Sequence, residues 1–198
     1  MKILLASNSP RRSALLQQMG FDFDTISVHC DESFPEGLPA AEVAAYISLK
    51  KASAYQQPLD NCILVTADTV VVLGDEILGK PKDENDAFDM LRKLSGKSHK
   101  VYTAFTLKTD SQTETFTDGA DVFMDEIADD EIRYYIKNYN PLDKAGSYGI
   151  QDWLGLTKIS KIEGNYYTIM GLPTTLLHHE LMKLSTFDLK SKLGDQLT

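Results

Sequence analysis

Residues 7–12, with the sequence Ser-Asn-Ser-Pro-Arg-Arg, place hydroxyl groups and two cations between a short apolar strand and a predicted helix. Ser9 is suited to the N-cap and Pro10 to the first turn, so we expect the helix to begin there. A helix N-terminus offers free N–H groups and a positive dipole end, and both favour a bound anion. Arg11 and Arg12 are unfavourable beside that dipole without an anion, and Arg12 shares the register of the buried helix face. The pattern predicts an anion site; a solvated basic turn, or an arginine paired with a structural carboxylate, is the alternative.

Asp68 lies inside a nearly continuous apolar run, residues 62–73, of the kind that forms a strand buried on both faces. An ionised carboxylate in such a strand is costly unless it is paired, hydrogen-bonded or bound to a cation. Burial raises the pKa of such a group, whereas a metal ion or an arginine lowers it, and the sequence leaves both outcomes open. The position favours a metal ligand or a general base over a structural aspartate near a strand end.

Two loops, a glycine-rich segment and one helix carry further side chains that can contact a phosphate, a cation or a nucleobase. Lys80 lies on a stiff Gly-Lys-Pro loop and can act as a point charge, and Glu32 can share a cation with the strand carboxylate. Gln151 ends a glycine-rich segment, and its amide has a donor and an acceptor for a base edge. Lys50 and Lys51 lie on one helix flank, and periodicity does not choose between them. The structural alternatives are an exposed loop for Lys80 and Glu32, lysines whose stems lie along the helix flank for Lys50 and Lys51, and a glycine-rich entry into a strand for the segment that ends at Gln151.

Strands and helices are mixed along the whole chain, which predicts an α/β protein with one elongated, mixed sheet flanked by helices. The predicted strands cover residues 2–6, 21–28, 62–73, 76–78, 99–109 and 112–124, followed by a hairpin of residues 155–162 and 166–170. The predicted helices cover residues 10–19, 39–57, 84–95, 132–139 and 173–184. We expect residues 1–184 to form one unit with two lobes and a central cleft, and residues 185–198 to form a polar C-terminal tail.

Composition limits the partners and the location of the chain. Its 20 Lys and Arg against 29 Asp and Glu give a net charge of −9, so a polyanion must be held by a small basic cluster. Broad adhesion to nucleic acid or to anionic lipid is therefore not expected. The N-terminal apolar run is too short for a signal peptide, and no run approaches the roughly 20 residues of a membrane span. Two cysteines suit a reducing compartment, so we expect a cytoplasmic protein.

Taken in order, the motifs resemble those of Maf proteins from residue 3 to about residue 184. The matching segments are residues 7–12, Glu32, residues 51–52, 67–69, 79–81, 143–151 and 164–173. The resemblance implies a nucleoside triphosphate pyrophosphatase that releases a nucleoside monophosphate and pyrophosphate with a divalent cation, Mg²⁺ or Mn²⁺. It also implies a fold like that of inosine triphosphate pyrophosphatases. Residues 143–151 resemble the branch of the family that prefers dTTP and UTP.

The same resemblance implies roles for individual residues. It places Asp68 on the catalytic acidic position, and Glu32 and Lys80 in the polar cluster around the phosphates and the metal. We therefore predict Asp68, Glu32 and Lys80 as the catalytic residues, with Asp68 and Glu32 holding the cation. The predicted substrate-binding residues are Ser7, Ser9, Arg11, Arg12, Lys51, Thr69 and Gln151. The resemblance links Arg11, Thr69 and Gln151 to base choice, and Ser9 is predicted from its place in the turn before the first helix. The family usually has glycine after Gln151, whereas this chain has Asp152, so we expect the loop there to differ.

Three other functions fit the sequence less well. The Maf branch that acts on 7-methyl-GTP differs in its counterpart of residues 148–151. A nucleotide-binding regulator of cell division would bind a triphosphate without turnover, and the intact set of Glu32, Asp68 and Lys80 favours catalysis instead. A phosphate-binding module would show no nucleotide preference. The sequence does not determine the oligomer, for which a homodimer is the commonest symmetric form.

Overall fold

A computed structural model describes residues 2–184, so the predicted tail of residues 185–198 lies outside the described residues. The seven strands are β1 (Lys2–Ala6), β2 (Phe23–Ile26), β3 (Cys62–Leu73), β4 (Glu76–Leu78), β5 (Ser98–Lys108), β6 (Thr113–Met124) and β7 (Ile159–Glu163). The seven α-helices are α1 (Pro10–Gln18), α2 (Ala40–Ala54), α3 (Glu84–Leu94), α4 (Asp129–Tyr139), α5 (Trp153–Thr157), α6 (Tyr166–Met170) and α7 (Thr174–Leu184). The strands form one mixed sheet in the order β2-β1-β3-β5-β6-β7, with β4 also paired to β3, which confirms the predicted α/β class.

Strand β3 is the centre of the sheet, and its two edges are paired differently. On one edge β5 runs antiparallel to it from Leu64 to Val72 without a break. On the other edge β1 pairs with residues 62–66 and β4 pairs with residues 71–73. Residues 67–70 therefore have no strand beside them on that edge, and the gap opens next to Asp68.

The side chains of β3 alternate between two faces, as the period of a strand requires. On the first face, Ile63, Val65 and Ala67 pack into a cluster with α1 and α7, and Val71 packs into a second cluster with α3 and α4. Thr69 lies between these clusters on the same face. The gap in the sheet lies between the two clusters, and the division into two lobes stays a prediction.

Helix α2 covers the second face of β3 and is fixed there by buried hydroxyl groups. The hydroxyl of Ser48 donates to the carbonyl of Thr66 at 3.3 Å, and it lies 2.9 Å from the hydroxyl of Thr106. The hydroxyl of Thr66 in turn donates to the carbonyl of Ser48 at 2.7 Å. Because Lys51 follows Ser48 by three residues, it shares the same helix face and reaches Asp68, two residues beyond Thr66.

The predicted hairpin of residues 155–170 is wrong. Only residues 159–163 form a strand, which pairs with β6, while α5 precedes it and α6 replaces the second arm. The side chain of Asn165 accepts a hydrogen bond from the N–H of Tyr167 at 2.8 Å and so caps α6, and Gly171, with φ +117°, ends it. No helix within residues 2–184 is long and apolar enough to cross a membrane.

Candidate active site

A cavity of about 450 Å³ opens at the gap between β1 and β4. Its walls are the N-terminus of α1, the loop after β2, helix α2, the middle of β3, the loop after β4, the segment 143–151 and the end of α6. All ten predicted site residues line it: Ser7, Ser9, Arg11, Arg12, Glu32, Lys51, Asp68, Thr69, Lys80 and Gln151. The structure thus brings the whole predicted set together, and the role of each residue remains a prediction.

Two carboxylates in the cavity share one ammonium group. Nζ of Lys51 lies 2.8 Å from Oδ1 of Asp68 and 2.9 Å from Oε1 of Glu32. Asp68 is largely buried, with 12% of its side chain exposed, and Glu32 is about half exposed at 48%. Burial acts to raise the pKa of Glu32, but the hydrogen bond and charge of Lys51, with Lys80 and Arg12, outweigh it and leave that pKa below its ordinary value. Both carboxylates therefore contact the same ammonium group of Lys51.

The carboxylate pair fits a hard divalent cation that takes its other ligands from elsewhere. Residues 2–184 contain no group of three or more His, Cys, Asp and Glu side chains suited to a metal ion. Mg²⁺ is usually bound by one or two carboxylates together with water and substrate phosphates, so Glu32 and Asp68 suffice for such a site. The chemistry of the two carboxylates that share Lys51 therefore fits a divalent cation with further oxygen ligands.

Arg12 is a partly buried cation that neutral oxygens hold in place. Its Nε donates to the carbonyl of Gly171 at 2.8 Å, and its Nη2 donates to Oγ1 of Thr69 at 3.1 Å. Nη1 lies 3.4 Å from Oγ of Ser7. Burial lowers the pKa of Arg12, and the charge of Asp68 opposes that effect. Within the described part of the chain no carboxylate forms an ion pair with Arg12, which favours the anion site over a structural ion pair.

The other cationic groups differ in how firmly they are held. Nη1 of Arg11 lies 2.7 Å from Oδ2 of Asp143, whereas Lys80 has neither an ion pair nor a side-chain hydrogen bond inside residues 2–184. Ser9 occupies the N-cap of α1 as predicted, but its side chain does not cap the helix. Instead the N–H of Ser9 donates to Oγ of Ser7 at 3.2 Å. The first turn of α1 has no acidic residue, so its free N–H groups remain available to an anion. Lys80 is available as well, because no side chain in residues 2–184 pairs with it.

The segment 143–151 approaches β3 closely because of one glycine. Gly146 has φ +67°, and a Cβ there would lie 2.9 Å from Cγ2 of Val71. Further along, Nε2 of Gln151 donates to Oδ1 of Asp152 at 3.1 Å, and Oε1 of Gln151 is buried with no partner in residues 2–184. Asp152 has φ −90°, a conformation open to any residue, so aspartate in place of the usual glycine strains nothing.

Sequence reasoning missed two groups of the site. Lys144 is buried, and its Nζ lies 2.9 Å from Oδ1 of Asp143 and 3.7 Å from Oδ2 of Asp152; a lysine between an acid and a glycine-rich stretch is the signal that marks it. The carbonyl of Gly171 holds Arg12, and a backbone group leaves no such signal. The structure also decides between the two helix lysines, because Lys50 contacts Asp31 outside the cavity.

A family model for Maf-like proteins matches residues 2–184. The chain belongs to the Maf family. Maf relatives named dTTP/UTP pyrophosphatase include one from Bacteroides thetaiotaomicron, 46% identical over 92% of this chain and 96% of that protein. Another from Flavobacterium psychrophilum is 45% identical over 91% of this chain and 93% of that protein, and one from Porphyromonas gingivalis is 42% identical over 91% and 92%.

Among solved structures, the Ham1 protein of Staphylococcus aureus is similar to this Maf protein over 65% of this chain and 73% of that chain. The identity is 15% and the TM-score is 0.42, a partial similarity from which nothing about the site follows.

Proposed function

We propose that this Maf protein hydrolyses dTTP and UTP to the nucleoside monophosphate and pyrophosphate. The observation that carries the proposal is the cavity's charge pattern: Asp68 and Glu32 share Lys51, and Arg12 lines the same cavity as a partly buried cation that forms no ion pair with a carboxylate among the described residues. In a chain with a net charge of −9, a local cluster of cations gives the cavity the positive potential that attracts a polyphosphate. The choice of dTTP and UTP as substrates is supported by the names of the relatives, which are 42–46% identical to this chain.

In this proposal the phosphates bind against the N-terminus of α1. Arg12 is fixed by three neutral oxygens and still has free N–H groups for phosphate oxygens. Lys80 supplies a second charge from its loop, and the N–H groups at the start of α1 supply uncharged donors. Phosphoryl transfer depends mainly on such positioning and charge neutralisation.

Asp68 is the proposed base that orients the attacking water and accepts its proton. The ammonium of Lys51, 2.8 Å from Oδ1, holds the carboxylate in place in the cavity. Asp68 and Glu32 are also the residues that would hold Mg²⁺ or Mn²⁺, which supplies positive charge to the phosphate oxygens when bound. The proton is transferred to the Asp68 carboxylate itself.

The nucleobase of the substrate is proposed to contact the segment 143–151. Uracil and thymine present a donor N3–H between two carbonyl oxygens, and the free Oε1 of Gln151 is an acceptor without a partner in residues 2–184. Arg11 and Thr69 line the same cavity as further groups for base choice. A site with hydrogen-bonding groups for one base rejects a base that leaves them unpaired.

The first test is Asp68→Asn, which keeps the shape of the side chain and removes its charge. We expect release of pyrophosphate from UTP to fall by roughly 10²–10⁴-fold, the usual contribution of general acid–base catalysis. Asp31→Asn is the matched control, because it removes a charge next to Glu32 in sequence from a side chain that contacts Lys50 outside the cavity. A folded Asp68→Asn variant with near-native turnover would contradict the proposal.

A substrate profile separates the proposed activity from its rivals. We expect pyrophosphate release from dTTP and UTP with Mg²⁺ or Mn²⁺, and much less from CTP, GTP and 7-methyl-GTP. A preference for 7-methyl-GTP would assign the chain to the other branch, and tight binding of UTP without turnover would make it a regulator. Equal affinity for pyrophosphate and UTP would indicate a phosphate-binding module.

The proposal extends to location and assembly. A cytoplasmic enzyme agrees with Cys30 and Cys62, both free thiols in the structure. A homodimer is proposed as the commonest symmetric assembly, and light scattering of the full chain measures it.

A further inference from the structure

Asp152 lies next to the cavity, and three side-chain donors surround its carboxylate. Its Oδ1 accepts from Nε2 of Gln151 at 3.1 Å, and its Oδ2 accepts from the hydroxyl of Tyr135 at 2.9 Å. Nζ of Lys144 lies 3.7 Å from Oδ2. The Asp152 side chain is 16% exposed, so the protein itself supplies most of its surroundings.

The carboxylate determines which way the Gln151 amide faces. An ionised carboxylate only accepts hydrogen bonds, so the amide must present its NH₂ group to Asp152. Oε1 of Gln151 is then the free end, buried and without a partner in residues 2–184, on a side chain that lines the cavity. A buried carbonyl oxygen left in this way is costly until a donor meets it, and a ligand with an N–H group is such a donor.

Tyr135 fixes the carboxylate in turn. Its hydroxyl accepts from the N–H of Gly149 at 3.0 Å, so its own proton is directed to Asp152. Tyr135 is fully buried in the cluster of α3 and α4, which holds the hydroxyl rigidly. Gly149 also provides space, because a Cβ there would lie 2.5 Å from Oδ2 of Asp152 and 2.7 Å from Nε2 of Gln151.

We infer that Asp152 is a positioning residue for base selection. By holding the Gln151 amide with its oxygen free, Asp152 makes the cavity select a ring that presents an N–H donor, as uracil and thymine do at N3. Cytosine presents an acceptor at N3 and leaves Oε1 of Gln151 unpaired there. The inference deepens the proposed function and rests on the nucleotide binding in this cavity.

Asp152→Asn tests the inference, because an asparagine can present its own NH₂ group to Gln151. The Gln151 amide can then rotate by 180° and point its NH₂ group into the cavity. We expect the ratio of kcat/KM for UTP to that for CTP to fall by roughly tenfold or more, since the site no longer enforces an acceptor. Asp152→Glu keeps the carboxylate and should retain more of the ratio than Asp152→Asn. Asp130→Asn, on the exposed side of α4, is the control for loss of one charge and should keep the wild-type ratio.

Two outcomes of this experiment would overturn the inference. One is an unchanged ratio in a folded Asp152→Asn variant, and the other is an equal loss of activity on UTP and CTP, which is the mark of a purely structural role. If Asp152→Asn fails to fold, Asp152→Ala carries the test, because it removes the carboxylate that orients the amide and should lower the ratio in the same direction. An unchanged ratio there would also overturn the inference.

Binding of the non-hydrolysable α,β-imido analogues of UTP and CTP separates this inference from the proposed function. Calorimetry should show that wild-type protein prefers the UTP analogue and that Asp152→Asn loses the preference. If that holds while wild-type protein does not turn UTP over, the catalytic proposal fails and the role of Asp152 stands. If wild-type protein turns UTP over and Asp152→Asn keeps the preference, the reverse is true.

Discussion

At the scale of single residues, the charge balance of the site depends on one lysine that contacts two carboxylates. Lys51 contacts both carboxylates, so removing it leaves Asp68 and Glu32 as neighbouring negative charges without a shared partner. Lys50, the adjacent residue, contacts Asp31 and the carbonyl of Ser33 instead. Two adjacent lysines of one helix therefore have different surroundings, and the difference can be measured.

Lys51→Met should shift the acidic limb of the kcat/KM profile for UTP to higher pH. The hydrogen bond and charge of Lys51 offset burial and keep the pKa of Glu32 below its ordinary value, so without them burial raises that pKa and the carboxylate protonates earlier. The variant should lose more activity at about pH 5 than at about pH 8, which a pH series of pyrophosphate release measures. Lys50→Met is the matched control and should keep the wild-type profile; identical limbs in Lys51→Met would contradict this account of Glu32.

At the scale of elements, the segment 143–151 depends on its glycines for its place on β3. Gly146 combines a positive φ of +67° with a contact that leaves no room for Cβ. Gly74, in the turn between β3 and β4, has a similar φ of +61° but open space around it. These two glycines allow the cost of backbone conformation to be separated from the cost of packing.

Gly146→Ala should destabilise the protein more than Gly74→Ala does. A left-handed conformation costs an L-residue about 1–2 kcal/mol, and both variants pay that cost. Gly146→Ala adds the overlap with Val71, for which overpacking adds roughly 1–3 kcal/mol. Urea denaturation compares the free energies of unfolding of the two variants; equal losses would show that the contact with Val71 relaxes freely.

The elements also show what sequence patterns can and cannot predict. Strand β3 is predictable to the residue, because a long β-branched run between turn residues has one reading. Residues 153–170 are not, because α5 and α6 have five residues each and are too short to show a helical period. The choice of Lys51 over Lys50 likewise depends on the contact of Ser48 with Thr66, which is long-range in sequence and invisible to periodicity.

At the scale of the whole molecule, His99 links the sheet to the segment 143–151. Its Nε2 lies 2.7 Å from the hydroxyl of Tyr148, a cavity-lining residue, and its Nδ1 is buried without a partner in residues 2–184. Burial lowers the pKa of His99 from 6.5 to about 4, against the weaker influence of Asp121. The folded protein thus holds a neutral imidazole where the unfolded chain protonates it.

The free energy of unfolding should therefore fall as the pH drops from about 6.5 to about 4. In that range the unfolded chain binds a proton at His99 that the folded protein does not, so stability is full above the window and declines within it. At about 1.4 kcal/mol per pKa unit, the decline attributable to His99 is about 3 kcal/mol. Chemical denaturation at several pH values measures it, and His99→Phe should flatten that part of the curve; an unchanged slope would assign the decline to other groups.

The short stretch of β3 that lacks a neighbour on one edge makes the chamber sensitive to insertions and deletions. Adding two residues to the end of β1, or ending β4 later, would extend the ladder of backbone amides along residues 67–70 and seal the entrance. The sheet would tolerate such a change and even gain bonds from it, so architecture alone does not keep these strands short. Access for a substrate is what requires the ladder to stay incomplete.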